Sequence, residues 1–169
     1  MPILVFEVQG GLVNDRPNHF HYKILVKLGA GGRGEVYLAP DTELDRKVAL
    51  KFLPPQYTED PEINARFKRE AKAAAALNHP NIITIHEIGE HDPKAFIAME
   101  YVEGQSLKDV VGAHCSVPLR MNEIIDYASQ ICAGLSEARQ AGIVHRDIEP
   151  DNILIAAKSR VKIADFGDE

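Results

Sequence analysis

Residues 28–39 read LGAGGRGEVYLA, and the glycine spacing in this stretch decides the fold prediction. Gly29, Gly31 and Gly34 form the pattern GxGxxG, which alone is a weak signal for phosphate binding. In a dinucleotide-binding fold such a loop leads from a strand into a helix. Here Val36 and Leu38 alternate with polar neighbours, which predicts a strand, so the glycines should lie at a β-hairpin. Such a hairpin can offer backbone N–H groups to a triphosphate, and a flexible turn is the simpler alternative.

The next strand-like run, KVALKFL at residues 47–53, places a lysine among apolar residues. The period of two in a strand puts Lys51 on the same face as Ala49 and Leu53, and the opposite face is apolar as well. A lysine in these surroundings either meets a buried anion or extends its ammonium group to water from an edge strand.

A strongly helical stretch follows at residues 59–78, with Asp60 as the predicted N-cap and Pro61 at the first helical position. At 100° per residue, Glu70 falls near the middle of the apolar stripe of this helix. A carboxylate in a core-facing stripe is costly unless it meets a cation, and Lys51 is the obvious candidate. A solvated glutamate on a frayed helix is the alternative. The stripe consists of Ile63, Phe67, Ala71, Ala74 and Leu77.

The rest of the chain changes from mostly strand to mostly helix near residues 102–104. NIITIHEIG and KAFIAMEYV predict two more strands, which makes about five with one inserted helix. Ser106 and Asp109 have capping-box spacing and predict a short helix, and residues 121–141 predict a longer one that ends at Gly142. NILIAA and RVKIADF predict two short strands. The predicted core stripe of the longer helix is Ile124, Ala128, Ile131, Leu135 and Ala138.

Three acids lie close together near the end of the sequence. HRDIEPDN, residues 145–152, brings Asp147 and Glu149 two positions apart, and IADFG adds Asp165. Clustered acids of this kind indicate metal and phosphate chemistry, because hard cations prefer oxygen ligands.

The overall composition is that of an ordinary soluble globular protein, with 45% hydrophobic and 26% charged residues among 169. The formal charge of −6 argues against nucleic acid as the main partner. Cys115 and Cys132 lack the CxxC spacing of a zinc site, which favours buried thiols and a reducing compartment. Because the sequence shows neither a membrane-spanning run nor a signal peptide, we expect a cytoplasmic protein.

Taken together, six ordered stretches resemble the protein kinases, specifically the bacterial relatives of the eukaryotic serine/threonine kinases. They run from about Phe20 to Gly167 and read LGAGGRGEV, VALK, FKREAKAAAALNHPNI, MEYVEG, HRDIEPDN and DFG. The resemblance implies an α+β fold, with a five-stranded antiparallel N-lobe that holds one helix, followed by the first part of a helical C-lobe. The expected division is an extension at 1–19, the N-lobe at 20–101 and a partial C-lobe at 102–169.

The resemblance also implies ATP and Mg²⁺ as cofactors and a protein hydroxyl as substrate. Lys51 would hold the α- and β-phosphates and pair with Glu70, Asp147 would orient the attacking hydroxyl, and Asn152 and Asp165 would bind magnesium. Further nucleotide contacts are implied for the glycine loop, for two apolar residues beside the adenine, for the gatekeeper and for the backbone of two hinge residues. These are Leu28, Gly29, Ala30, Gly31, Gly32, Arg33, Gly34, Val36, Ala49, Met99, Glu100 and Val102.

Position 149 departs from the family pattern, because active serine/threonine members have a lysine where this chain has Glu149. The family lysine steadies the transferred phosphate, so a glutamate replaces an attraction with a repulsion. We therefore expect slow phosphoryl transfer with ATP binding largely retained. A harmless glutamate turned to solvent is the alternative.

The printed sequence ends at DFGDE, so we expect no activation segment or later C-lobe helices in this chain. The helix at 121–141 should then expose apolar surface, with marginal stability or self-association as the result. Three interpretations remain open. The chain is part of a serine/threonine kinase, a nucleotide-binding pseudokinase that acts through its shape, or a truncated product without a role of its own.

Overall fold

The computed structural model describes residues 21–31, 34–55, 59–91, 94–113 and 119–166 of the chain. The predicted extension at 1–19, the loop residues Gly32 and Arg33, and also Cys115 and Gly167 lie outside these ranges. The described part is rich in strands before residue 101 and richer in helix after it, as the sequence predicts.

The first part is a five-stranded antiparallel sheet with the order β1-β2-β3-β5-β4. A turn at residues 42–45 joins β2 to β3, and a helix lies between β3 and β4. This arrangement confirms the predicted sheet with one inserted helix. The strands are β1 (Val26–Gly31), β2 (Gly34–Asp41), β3 (Arg46–Phe52), β4 (Ile85–His91) and β5 (Lys94–Glu100).

The inserted helix α1 (Pro61–Ala75) begins where the sequence predicts. The Asp60 carboxylate accepts hydrogen bonds from the backbone N–H groups of Glu62 and Ile63 at 2.9 and 3.2 Å, which satisfies two donors of the first turn. Phe67, Ala71 and Ala74 are buried on its inner face, as the predicted stripe requires.

The second part combines two helices with a small antiparallel sheet of order β6-β7-β8. Its elements are β6 (Gly104–Ser106), α2 (Leu107–Ala113), α3 (Met121–Gln140), β7 (Ile153–Ala156) and β8 (Arg160–Ile163). The predicted cap of α2 is confirmed, since Ser106 Oγ accepts a hydrogen bond from the Asp109 backbone N–H at 3.1 Å. Among the described residues, no helix has both the length and the apolar character that crossing a bilayer requires.

Strand β3 lies at the centre of the first sheet and buries both of its faces. Val48 and Leu50 pack on one side with Tyr22 and Phe96, and Ala49 packs on the other with residues of α1 and β5. The predicted alternation along this strand is confirmed, and it aims the Lys51 side chain at the α1 side of the sheet.

Helix α3 uses part of the predicted stripe. Ala138 is buried, and Ile131 and Leu135 pack partly buried against the same core cluster, as predicted, whereas Ile124 is 45% exposed and Ala128 is exposed as well. Tyr127 and Gly134, which lie outside the predicted stripe, are also buried. A Cβ atom at Gly134 would lie 2.9 Å from Ile163 Cδ1, so the glycine lets the helix approach β8 closely.

The short segment before β4 links the two parts through a buried amide. Asn81 Nδ2 donates to Gln130 Oε1 on α3 and to the Val161 carbonyl on β8, both at 2.9 Å. Ile163 N–H donates to the Asn81 carbonyl, and Ile83 N–H donates to the Ile163 carbonyl. These bonds hold β8, and so the residues that follow it, against the first part of the chain.

Candidate functional site

The glycine hairpin joins β1 to β2, with Gly31 paired to Gly34 at its end. Gly34 has φ +116°, and a Cβ atom there would lie 2.1 Å from the Phe52 carbonyl oxygen. Around Gly29 and Gly31, by contrast, an added Cβ would meet no atom within 4 Å. The predicted hairpin is confirmed: one glycine is required by the packing of β2 on β3, and the other two border open space.

Lys51 is buried, with 2% of its surface exposed, so it does not extend to water. Its Nζ atom lies 3.0 Å from Asp165 Oδ1, and the Asp165 side chain is 23% exposed. A buried ammonium group needs a close anion to offset the loss of its hydration. The packing of β3 therefore fixes a cation beside a carboxylate that remains open to solvent.

Glu70 faces inward as predicted, with 22% of its side chain exposed, but its ion pair is with another residue. Glu70 Oε1 lies 3.9 Å from Arg146 Nη1, and the predicted Lys51–Glu70 pair is not among the ion pairs of the described residues. Asp165 brings a carboxylate to Lys51, and Arg146 supplies a cation that faces α1. Sequence periodicity gives the direction of Glu70 and not the identity of its partner.

Asn152 joins the loop at 145–152 to the segment before Asp165. Its Nδ2 atom donates to the Asp147 carbonyl at 3.0 Å and to Asp147 Oδ2 at 3.2 Å. Its backbone carbonyl accepts from Ala164 N–H at 2.9 Å. Because both side-chain bonds use Nδ2, the Oδ1 oxygen is the atom that can face a cation. Asn152 therefore holds Asp147 through its side chain and Ala164, the residue before Asp165, through its backbone carbonyl.

His145 supports the same segment and was not assigned a role from the sequence. Its Nε2 atom lies 2.7 Å from the Ala164 carbonyl, and its ring packs edge-on against Phe166 with centroids 4.5 Å apart. Since a carbonyl only accepts, Nε2 carries the proton. Arg146 and Asp165 both have positive φ, at 67° and 60°. Such strain in residues other than glycine needs support from neighbours of this kind.

An apolar surface adjoins the hairpin on the side of β5. Val36, Ala49, Met99 and Val102 belong to one cluster, and Leu154 of β7 packs against it as well. Leu154 was missed from the sequence, although its place in the predicted strand NILIAA could have indicated an inward side chain. Leu28 is 47% exposed and Ala30 is also exposed.

The hinge residue Glu100 can offer only part of its backbone to a ligand. Its N–H donates to the Thr84 carbonyl at 2.8 Å, so this N–H is not available to an adenine. Of the two backbone groups predicted to contact the adenine, the carbonyl can still do so. Its carboxylate accepts from Lys162 Nζ at 2.7 Å, on the side of β8. This ion pair fixes the start of the hinge.

The altered position, Glu149, is exposed at the start of a short turn at 150–152. Next to it, Asp151 Oδ2 lies 2.8 Å from Lys108 Nζ of α2. The hydrogen bond to Asp151 and the charge of Asp151 raise the pKa of Lys108, and the charge of Glu149 adds to this increase. Lys108 was missed from the sequence, because nothing in its local pattern indicates a contact 43 residues away.

The site suits a magnesium ion that shares its ligands with a phosphate. Among the described residues, no three His, Cys, Asp or Glu side chains come together to hold a metal by themselves. Asn152 and Asp165 offer an amide and a carboxylate oxygen, and Mg²⁺ is commonly held by one or two such groups together with substrate phosphates and water. The residues present therefore fit a metal that arrives with its ligand.

Comparison with known proteins agrees with this arrangement. Residues 22–168 match the family described as protein kinase domain. Serine/threonine-protein kinase PrkC of Bacillus subtilis is 47% identical over 146 residues, which cover 86% of this chain and 22% of that protein. Serine/threonine-protein kinase PknB of Mycobacterium tuberculosis is 42% identical over 157 residues, covering 89% and 25% respectively.

A solved structure gives the same result for the fold. The PknI kinase domain of Mycobacterium tuberculosis superposes with a TM-score of 0.79 at 34% identity, covering 89% of this chain and 61% of that one. The chain spans about a quarter or less of the curated relatives named above, at 22% and 25% of their length. The family match covers most of the sequence, and the chain belongs to the protein kinase family, among its bacterial serine/threonine members.

Proposed function

We propose that this chain binds ATP with magnesium and provides the nucleotide site and catalytic loop for phosphoryl transfer to a serine or threonine hydroxyl of a protein. The observation that carries the proposal is the buried Lys51 ammonium group beside Asp165, below a glycine hairpin that borders open space. Phosphoryl transfer needs fixed cations and hydrogen-bond donors around spread negative charge, and this arrangement supplies both. The proposed setting is the cytoplasm, where free cysteines stay reduced.

In this proposal the nucleotide is held by three groups of residues. The adenine lies against Val36, Ala49 and Leu154, with Met99 behind it, and the hinge offers backbone groups of Glu100 and Val102. The backbone of residues 28–34 covers the phosphates. Lys51 holds the α- and β-phosphates, and Glu70 leaves Arg146 to pair with Lys51 when transfer takes place.

The loop residues handle the substrate hydroxyl and the metal. Asp147 orients the hydroxyl and accepts its proton, and the Asn152 amide keeps the Asp147 carboxylate in position. Asn152 Oδ1 and Asp165 hold magnesium, which when bound neutralises charge on the phosphates. Because Asp165 is held by Lys51 and Asn152 by Asp147, both metal ligands are restrained before the nucleotide arrives.

The Glu149 carboxylate is proposed to slow the transfer step. Two unit charges about 4 Å apart interact by about 4 kcal/mol at an effective dielectric constant of 20. Magnesium and side-chain rotation reduce this repulsion, yet even half of it slows a reaction by more than about tenfold. Nucleotide binding should change little, since it depends on Lys51 and the hairpin.

The test is to replace Glu149→Lys and measure transfer of radiolabelled phosphate to a generic protein substrate. We expect an increase of about 10²-fold, the usual effect of one electrostatic stabiliser. Glu43→Lys, an exposed glutamate in the turn between β2 and β3, makes the same charge change away from the site and should have no effect. Equal rates for all three proteins would refute the proposed effect of Glu149.

Glu149 also favours a second candidate function, a nucleotide-binding module that acts without phosphoryl transfer. A thermal-shift titration with ATP, with and without magnesium, separates binding from its absence. Stabilisation by ATP–magnesium together with no transfer by the Glu149→Lys variant would favour this second function over the first.

A further inference from the structure

Lys108 lies in the first turn of α2 and reaches across to the catalytic loop. Its Nζ atom is 2.8 Å from Asp151 Oδ2, with 66% and 49% of the two side chains exposed. The N-terminal end of α2 is held by the Ser106–Asp109 cap, so the base of the lysine side chain is fixed. The pair therefore links α2 to the turn at 150–152.

This turn is connected directly to the residues proposed for catalysis. Asn152 N–H donates to the Glu149 carbonyl at 3.0 Å, and the Asn152 side chain bonds to Asp147. Asp151 is the residue between them, so holding its carboxylate restrains the turn that positions the Asn152 amide.

The same stretch carries an excess of negative charge. Asp147, Glu149 and Asp151 are three acids within five residues, and Arg146, the cation inside the loop, faces Glu70 instead. Lys108 brings a positive charge from a different element. The hydrogen bond to Asp151 and the charge of Asp151 raise the pKa of Lys108, and the charge of Glu149, two positions from Asp151, acts in the same direction.

We propose that Lys108 is a positioning residue for phosphoryl transfer, which offsets the charge of Glu149 and holds Asp151 beside the catalytic loop. The inference rests on the proposed function and adds a residue to it. In a family member with lysine at position 149, the loop would carry its own cation and a lysine on α2 would matter less. The effect of Lys108 should therefore depend on the residue at position 149.

A double-mutant cycle tests this dependence, with Lys108→Met made in the natural chain and in the Glu149→Lys variant. In the natural chain we expect the transfer rate at saturating ATP to fall about fivefold, the scale of one exposed ion pair. In the Glu149→Lys variant the loss should be less than about twofold, because the repulsion is gone. The KM for ATP should stay the same in all four proteins.

Two further variants separate charge from shape. Lys108→Arg keeps the cation and should retain most of the rate. Lys23→Met removes an exposed lysine from the segment before β1 and should leave the rate unchanged. An equal loss on Lys108→Met in both backgrounds, or no loss in either, would overturn the inference.

A measurement without nucleotide keeps the inference separate from the proposed function. NMR titration of the Lys108 side chain should show a lower pKa in Glu149→Gln than in the natural chain, and a larger decrease in Asp151→Asn. If phosphate transfer is observed but Glu149→Gln leaves this titration unchanged, the inference alone fails. If no variant transfers phosphate, Glu149→Lys included, the proposed function fails and the catalytic role of Lys108 fails with it.

Discussion

At the scale of single residues, Lys51 shows how much of the site comes from the strand period. Alternation along β3 buries the lysine on the α1 side of the sheet, where its ammonium group is 3.0 Å from Asp165. A cation fixed in this way does not need to be ordered when a polyphosphate binds, and such preorganisation favours affinity. The proposed nucleotide site thus depends on a charge that the fold itself holds.

Lys51→Met should therefore weaken nucleotide binding while the fold remains. Charge-assisted hydrogen bonds contribute about 1.5–3 kcal/mol, so we expect ATP–magnesium affinity to fall at least about tenfold. The melting temperature without nucleotide should fall only slightly, because the Asp165 carboxylate, which loses its cation, is 23% exposed and can be hydrated. Isothermal titration calorimetry and thermal unfolding measure the two quantities.

Lys47→Met is the matched control, since Lys47 is an exposed lysine on the same strand. It should change neither quantity. If Lys51→Met binds ATP as tightly as the natural chain does, then Lys51 does not hold the phosphates.

The ion-pair partners of the charged residues at the site were harder to predict than the side of the helix or strand on which each residue lies. The helical stripe gives the inward position of Glu70, but its partner is Arg146, which is 76 positions later in the sequence and has a left-handed backbone. Lys108 and Asp151 are likewise distant in sequence. Such pairs depend on how elements pack, and no local pattern contains that information.

At the scale of elements, the β1–β2 hairpin illustrates two different needs for glycine. Gly34 lies at the start of β2, which pairs with β3, and its φ is +116°. A Cβ atom at this position would lie 2.1 Å from the Phe52 carbonyl oxygen. Gly29 has open space around it. In the GxGxxG pattern, Gly34 is therefore required by packing, whereas Gly29 leaves room for a ligand. The spacing of the glycines alone does not show which glycine serves which purpose.

Gly34→Ala should destabilise the fold, because both the backbone angle and the contact with Phe52 exclude a methyl group. Residues forced into such φ values cost about 1–3 kcal/mol, and the displaced strand adds to this. Gly29→Ala should cost less than about 1 kcal/mol of unfolding free energy, since it meets neither constraint. Urea unfolding of the two variants measures the difference, and equal midpoints would contradict this account of the hairpin.

Helix α3 shows why the sequence predicted only part of one core face. Ile131, Leu135 and Ala138 of the predicted stripe meet the core, whereas Ile124 and Ala128 near the start of the helix are exposed. Gly134 lets the helix approach Ile163 and Asn81 closely. Periodicity detects apolar side chains and gives little weight to a glycine, so this close contact was missed.

At the scale of the whole molecule, the start of α3 leaves an apolar face at the surface. Met121, Ile124 and Ile125 are 70%, 45% and 61% exposed, and their spacing of three and four places them on one side of the helix. Scattered apolar residues are normal on a protein surface, whereas contiguous ones indicate an interaction site. Exposed apolar residues on this helix agree with the expectation from the sequence.

We predict that the chain of residues 1–169 self-associates through this face. At concentrations of tens of micromolar, sedimentation equilibrium should give a mass above the 18.7 kDa of one chain. The double substitution Met121→Lys and Ile125→Lys should return the mass to that of the monomer, because it places two charges in the contact. Leu44→Lys changes an isolated residue that is 63% exposed in a distant turn, and it should leave the association unchanged. A natural chain that sediments as a monomer at these concentrations, or a double variant that still associates, would show that this face does not mediate contacts between copies.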